Sequence, residues 1–270
     1  MNNRNGHLSP EVSGPAPGMA SSESVPVVSF HLIHYRGRST LNGLGRWYLD
    51  LPALKRVPGM RFGRLMASSI GSPRRPTPFP APHPGRAALV AAWDNDAAVD
   101  NFLYASPIAR RWRKHAEETY HLRLEPCSWR GTWRGVDPWS GFAHHAAPTG
   151  PAALFTFGAL HLGAFLPFYR RQPGTFRDVS EQPGLLSVIP LSETVRPYWT
   201  VSTFSLWRSL DEALAFAYAR VPHDSARGLS IEHNWFSESS FTRFRPLVSE
   251  GTWGGIDPLA EFGLQRAHAG

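Results

Sequence analysis

Twelve histidines and one cysteine are the residues of this 270-residue chain best suited to hold a metal, and their spacing decides which of them could do so. No two histidines have the spacing of a zinc-binding helix, and Cys127 stands alone, so a structural zinc site is not expected. His7 and His268 lie near the ends of the chain, and His144 and His145 lie in a glycine-bounded stretch read as a flexible linker. His31 and His34 fall on or just after an expected strand, where a hydrogen-bonded core or rim imidazole is the commoner case. His115 and His121 fall between a helix and a strand and read as surface or pocket-rim residues. His223 differs from all of these. It follows Pro222 in Val221-Pro222-His223-Asp224, where the proline ring fixes the backbone and would aim the imidazole. Neutral imidazole commonly ligates haem iron, and Asp224 could orient such a ring. His223 is therefore the candidate metal ligand; a solvent-facing histidine at a helix start is the alternative.

Arg243-Phe244-Arg245-Pro246 reads as strand. Side chains alternate there, so Arg243 and Arg245 share a face and could hold carboxylates such as haem propionates bidentately. Solvated strand arginines are the alternative. Cys127 as a thiolate ligand would bring chemistry of the cytochrome P450 kind.

The elements that position these residues come from a duplication. Gly131-Thr132-Trp133-Arg134-Gly135-Val136-Asp137-Pro138 recurs as Gly251-Thr252-Trp253-Gly254-Gly255-Ile256-Asp257-Pro258, at a shift of 120 with six of eight positions identical. Trp93 and Phe102 pair with Trp207 and Phe216 at a shift of 114. The opening strands around Phe30 and Phe155 pair at 125, as do Pro58-Gly59 and Pro183-Gly184. Changing shifts put the length differences in loops, which absorb them at little cost. From Trp207 to Pro246 the second copy is six residues longer than the first is from Trp93 to Pro126, and His223 lies in that stretch. The partner of Cys127 in the other copy is Leu247, which argues against the thiolate. Trp133 and Trp253, kept in both copies, read as architecture.

Each copy shows the periods of β-α-β-β-α-β, the ferredoxin-like split unit. Strands are expected at 27–34, 62–67, 87–93 and 120–125, with helices near 46–54 and from 96 towards 118. In the second copy strands are expected at 152–160, 185–191, 198–207 and 241–246. Its helices are expected at 164–171, ending before Pro173, and after the Ser209 cap. Residues 70–86, with six prolines and two glycines, are expected to be irregular. The fold class is α+β: tandem ferredoxin-like repeats, at 26–142 and 151–260, forming a dimeric α+β barrel-like fold within one chain. An apolar cavity between sheets and helices is expected, since pockets favour such internal interfaces. Residues 1–25, rich in Ser, Pro, Gly and Asn, read as a disordered tail.

Composition bounds the function. The net charge is +7, carried almost wholly by Arg interleaved with apolar residues rather than gathered in a basic helix, so a nucleic-acid partner is not expected. A lone cysteine excludes an intramolecular disulfide and fits a reducing cytoplasm. No stretch approaches the roughly 20 apolar residues that span a bilayer.

Arg111-Trp112, Glu118-Thr119-Tyr120, Gly131-x-Trp133-x-Gly135, Thr203-Phe204-Ser205-Leu206-Trp207, Pro222-His223, Asn234-Trp235-Phe236-x-Glu238 and Arg243-Phe244-Arg245 together resemble the spheroidene monooxygenase family. The resemblance covers the chain after the tail and is strongest in the second copy. It implies a haem-containing oxygenase that uses dioxygen and a ferredoxin-type electron donor to hydroxylate or ketolate the C2 position of acyclic carotenoids. It also implies His223 as the axial ligand. The sequence departs from the family around 31–45 and 68–80, where substrate would enter. An apolar substrate implies peripheral contact with a membrane surface. Two other readings stay open: a non-catalytic module binding an apolar ligand, and a cofactor-free α+β barrel monooxygenase.

Overall fold

The computed structural model describes residues 25–69, 82–194, 199–218 and 235–266. The expected tail and His223 lie outside the described residues. The first half runs β1 (Val27–His34), α1 (Ser39–Leu54), β2 (Met60–Ser69), β3 (Pro82–Trp93), α2 (Asp96–Asp100), a π-helical turn (Asn101–Ala105), α3 (Pro107–His115) and β4 (Glu118–Gly131). The second half runs β5 (Ala152–Leu160), α4 (Phe165–Ser180), β6 (Leu185–Glu193), β7 (Thr200–Trp207), α5 (Leu210–Tyr218) and β8 (Phe236–Gly251). All eight strands close into one antiparallel barrel in the order β1-β3-β2-β6-β7-β5-β8-β4. A short β2–β6 ladder and a long β4–β8 ladder, from Tyr120–Gly251 to Gly131–Ser240, join the halves.

Period-two alternation sorts the side chains. Phe30, Leu32, Phe155, Phe157, Phe204 and Phe244 point into the barrel, while Ile33, Leu89, Trp93, Leu154 and Trp207 meet the helices outside. Aromatic rings fill the interior: Phe30 stacks on Phe204 at 3.8 Å, and Trp133 stacks on Phe155 and Phe157 at 5.1 and 4.7 Å. Among the described residues the barrel interior is therefore core, and the two outer faces, under the helices, are the other apolar surfaces of the strands.

The recurring Gly-Thr-Trp-x-Gly segments are the barrel's end fastenings. Gly131 and Gly251 have φ of +83° and +89°, and a Cβ on either would overlap a carbonyl oxygen, that of Ser239 or of Thr119. Only glycine fits there. Glu238, on β8, accepts hydrogen bonds from Thr132 Oγ1 and the Gly135 N–H, both at 2.6 Å. Glu118, on β4, does the same for Thr252 Oγ1 at 2.8 Å and the Gly255 N–H at 2.6 Å. Each half fastens the other's loop. Trp133, fully buried, donates from Nε1 to Glu193, which also takes Arg134.

Several expected elements differ. The helix from 96 towards 118 is broken at Ser106, whose side chain accepts from the Ala109 N–H and caps α3, with Pro107 at its first position. The helix beginning near 164 runs past Pro173 to Ser180. Of the stretch expected to be irregular, 82–86 belongs to β3, with Pro82 and Pro84 near its start, and 70–81 lies outside the described residues. The last strand is longer than 241–246. The linker histidines are docked, His144 stacking on Trp129 at 3.9 Å and the His145 N–H bonding the Cys127 carbonyl. Among the described residues no helix is long and apolar enough to cross a membrane.

Candidate functional site

The two outer faces are built on matching registers and covered differently. Val27 pairs with Trp93 as Ala152 pairs with Trp207, and Val28 with Leu124 as Ala153 with Phe244. These are the positions related by shifts of 125, 114 and 120. On the first half one continuous apolar cluster joins Leu65, Leu89 and Trp93 to Phe102, Ile108 and Trp112 of the helical layer. On the second half the cover formed by the described residues falls into two clusters. Ala152, Leu154, Val179, Trp207 and Leu210 form one cluster; Leu160, Ala164, Tyr169 and Trp235 form another. Between them a strip crosses the sheet in register, Pro190 beside Thr203, Thr203 beside Thr156, Thr156 beside Phe241. Thr156, Thr203 and Phe241 are only partly buried.

The charges on the two faces differ in the same sense. Arg123, on β4, is buried, with the Asp96 carboxylate 2.5 Å from its Nε and the Asp100 carboxylate on its NH2. Asp100 also pairs with Arg266 at 2.7 Å, and that bond holds its carboxyl below the usual carboxylate range. Shifted by 120, Arg123 falls on Arg243; shifted by 114, Asp96 and Asp100 fall on Leu210 and Leu214 of α5. At the matching points the second half also has an arginine, and it has leucine where the first half has its two carboxylates. Arg243 lies over the Phe241 ring at 5.6 Å, its buried Nε has no hydrogen-bond partner, and no ion pair to it occurs among the described residues. A partly buried guanidinium beside an apolar strip favours an anionic group brought to it.

Arg245 shares Arg243's face but is engaged, donating to Glu125 at 2.5 Å and to the Ala146 carbonyl at 3.3 Å. Cys127 is buried, and burial pushes its thiol up, away from the thiolate an iron would need. Among the described residues no cluster of three or more His, Cys, Asp or Glu could hold a metal.

Sequence reasoning missed one polar pair. His31 on β1 and His121 on β4 are cross-strand neighbours, 1% and 7% exposed, with their Nδ1 atoms 3.1 Å apart. His121 is thus a core residue, not a rim residue. His31 Nε2 is buried without a partner. Burial, together with Arg123 and the neighbouring histidine, lowers His31 well below the ordinary imidazole range; burial brings His121 to about 4. Both rings stay neutral at physiological pH. Their counterparts in the second half are Thr156 and Phe241, so the strip replaces two imidazoles with a short hydroxyl and a ring.

No family model matches the chain. A spheroidene monooxygenase of Rhodobacter capsulatus is 33% identical over 247 residues, spanning 91% of this chain and all of the relative. A spheroidene monooxygenase of Cereibacter sphaeroides is 30% identical over 229 residues, 83% of this chain and 65% of the relative. Among solved structures, an aldoxime dehydratase in complex with butyraldoxime superposes with a TM-score of 0.52 at 12% identity, over 85% of this chain and 82% of that one, a likeness of fold.

Proposed function

Because the chain belongs to the spheroidene monooxygenase family, and is a monooxygenase, we propose that it oxygenates an acyclic carotenoid at haem held on the outer face of its second half. The two halves are read as copies of one ancestral unit, of which the second has the more divided cover among the described residues. The described residues fit the anionic edge of haem: Arg243, with an orphaned buried Nε and no carboxylate from α5, would take a propionate. His223 is the proposed axial ligand. Haem, when bound, supplies the activation of dioxygen.

The remaining roles belong to the chain's own side chains. The split clusters around Leu154 and Leu160 form apolar walls that exclude water and align a long polyene along the strip. Thr156 and Thr203 supply hydroxyls on the floor. The ring-filled barrel keeps the floor rigid, so the reacting carbon is positioned by packing rather than by polar contacts, as suits a substrate with almost none. A ferredoxin-type protein is the proposed electron donor.

The observation that carries the cofactor reading is the arginine retained while its two counter-carboxylates are replaced. The test is spectral and chemical. Protein produced with ample haem should show a Soret band that His223→Ala abolishes or shifts, and should convert an acyclic carotenoid only with dioxygen and reductant. An unchanged Soret band in His223→Ala refutes the axial assignment, and turnover by iron-free protein refutes the haem reading.

A further inference from the structure

The structure carries a second surface beside the strip. Leu49 and Leu162 are 75% and 80% exposed, and Tyr48, Leu166 and Trp199 join them. They come from three segments of chain that meet at one place. The Tyr48 hydroxyl donates to the Thr194 carbonyl at 3.2 Å, tying α1 to the end of β6. Trp199, just before β7, has its ring 5.0 Å from Phe165 at the start of α4, and its carbonyl accepts the Leu160 N–H. Leu162 and Leu166 flank that contact along the chain. The Glu193 N–H on Thr200 Oγ1, at 3.0 Å, holds the end of β6 beside the start of β7 and so brings these segments near one another, and exposed apolar groups gathered in this way mark a docking surface.

We infer that this patch seats the protein on the surface of a phospholipid bilayer carrying anionic lipid. Three observations choose that occupant. Tyr and Trp with exposed leucines make the mixture that settles at a lipid–water boundary, where apolar bodies enter the acyl region and polar tips stay at the headgroups. Basic groups predominate on the same segments. Arg38, Lys55, Arg56 and Arg170 are exposed there, Asp50, the carboxylate of α1, is buried against Arg111 and Trp112, and the exposed Asp178 lies at the far end of α4. With a net charge of +7 on the whole chain, that side complements an anionic membrane. Third, the patch is continuous with the site. Phe165 packs on the Leu160–Tyr169–Trp235 cluster that walls the strip, giving an apolar path from the boundary to the floor.

The inference rests on the proposed substrate for its purpose, delivery of a polyene that water does not dissolve, but its test needs neither carotenoid nor haem. The full chain is sedimented with vesicles of phosphatidylcholine alone and of phosphatidylcholine with phosphatidylglycerol. Binding is expected to the mixed vesicles and to weaken with added salt. Replacing Leu49→Gln together with Leu162→Gln should lower the partition coefficient on the order of a hundredfold, because each of the two leucines loses its burial in lipid. Circular dichroism should be unchanged, since both side chains stand in solvent. Three results overturn the inference: wild-type protein that stays in the supernatant, a double variant that binds as wild type does, and a dimer in solution that the double variant dissociates, which would make a second copy the occupant. Oxidation of detergent-dispersed carotenoid, measured in parallel, reports on the oxygenase reading separately. The double variant should keep that activity while losing turnover of vesicle-embedded carotenoid.

Discussion

Arg123→Met and Arg243→Met change the same residue type at matching points of the barrel, and the structure assigns them different outcomes. Methionine keeps most of the aliphatic stem and removes the charge. At position 123 the lost charge had two carboxylates, Asp96 as an ion pair at 2.5 Å and Asp100 as a hydrogen-bonded one, although the Arg123 Nε, like that of Arg243, is buried without a hydrogen-bond partner. A hydrogen bond to a charged group contributes about 1.5–3 kcal/mol. The Asp96 side chain is 62% exposed and that of Asp100 32%, so solvent screens the pair and the sum is discounted. Arg123→Met should therefore cost about 2–3 kcal/mol. At position 243 no carboxylate among the described residues is lost, and the orphaned buried Nε disappears, so the stability of haem-free protein should change by less than about 1 kcal/mol. Urea unfolding of haem-free protein, followed by far-ultraviolet circular dichroism, measures both. The second arm is haem retention: Arg243→Met should weaken it by about tenfold, the loss of one charge-assisted pair, while Arg123→Met leaves it unaltered in the folded fraction. Equal destabilisation by the two variants, or haem retention indifferent to Arg243, refutes the argument that the second half released its arginine for a ligand.

The His31–His121 pair, with folded-state pKa values below the ordinary 6.5, makes stability acid-sensitive, because the unfolded chain takes up protons before the folded one does. The contribution is whole above pH 6.5 and is lost as pH falls towards the folded value of about 4 at His121. That loss is about 3 kcal/mol for His121; His31 adds in the same direction. Between pH 7 and 5 the unfolding midpoint of the wild type should fall relative to that of His31→Phe/His121→Leu, and parallel curves would deny it. Glu118→Ala and Glu238→Ala should each cost about 1–2 kcal/mol through the loss of a loop fastening, read by thermal unfolding. Gly131→Ala forces a side chain into the Ser239 carbonyl at φ +83° and should leave too little folded protein to purify, whereas Gly135→Ala, strained at φ +72° but with open space around it, should cost about 1–2 kcal/mol and remain folded.

Much of the fold was legible because its constraints are local or occur twice. The Gly-Thr-Trp-x-Gly segments announced the corresponding registers, since a positive-φ glycine beside a backbone carbonyl tolerates no substitute in either half. Ser106-Pro107 also carried the signal for a helix start, but the apolar spacing across 96–118 masked it. Pro173 was overridden: α4 continues through it. The Asp96 and Asp100 replacements by Leu210 and Leu214 could have been read from the shifts alone. The meeting of His31 with His121 could not, because alternation along a strand gives the face of a residue but not its neighbour on the next strand. His223, the chief sequence candidate, lies outside the described residues.

The exchange of Glu118 and Glu238 between the halves bears on how the polypeptide can be cut and shuffled. Because each segment carries the clasp its counterpart requires, neither is self-sufficient: a fragment ending near residue 146 would have an unfastened loop and bare strand edges. Two such fragments produced together should instead find each other and reassemble, whereas either one produced alone should be recovered as aggregate.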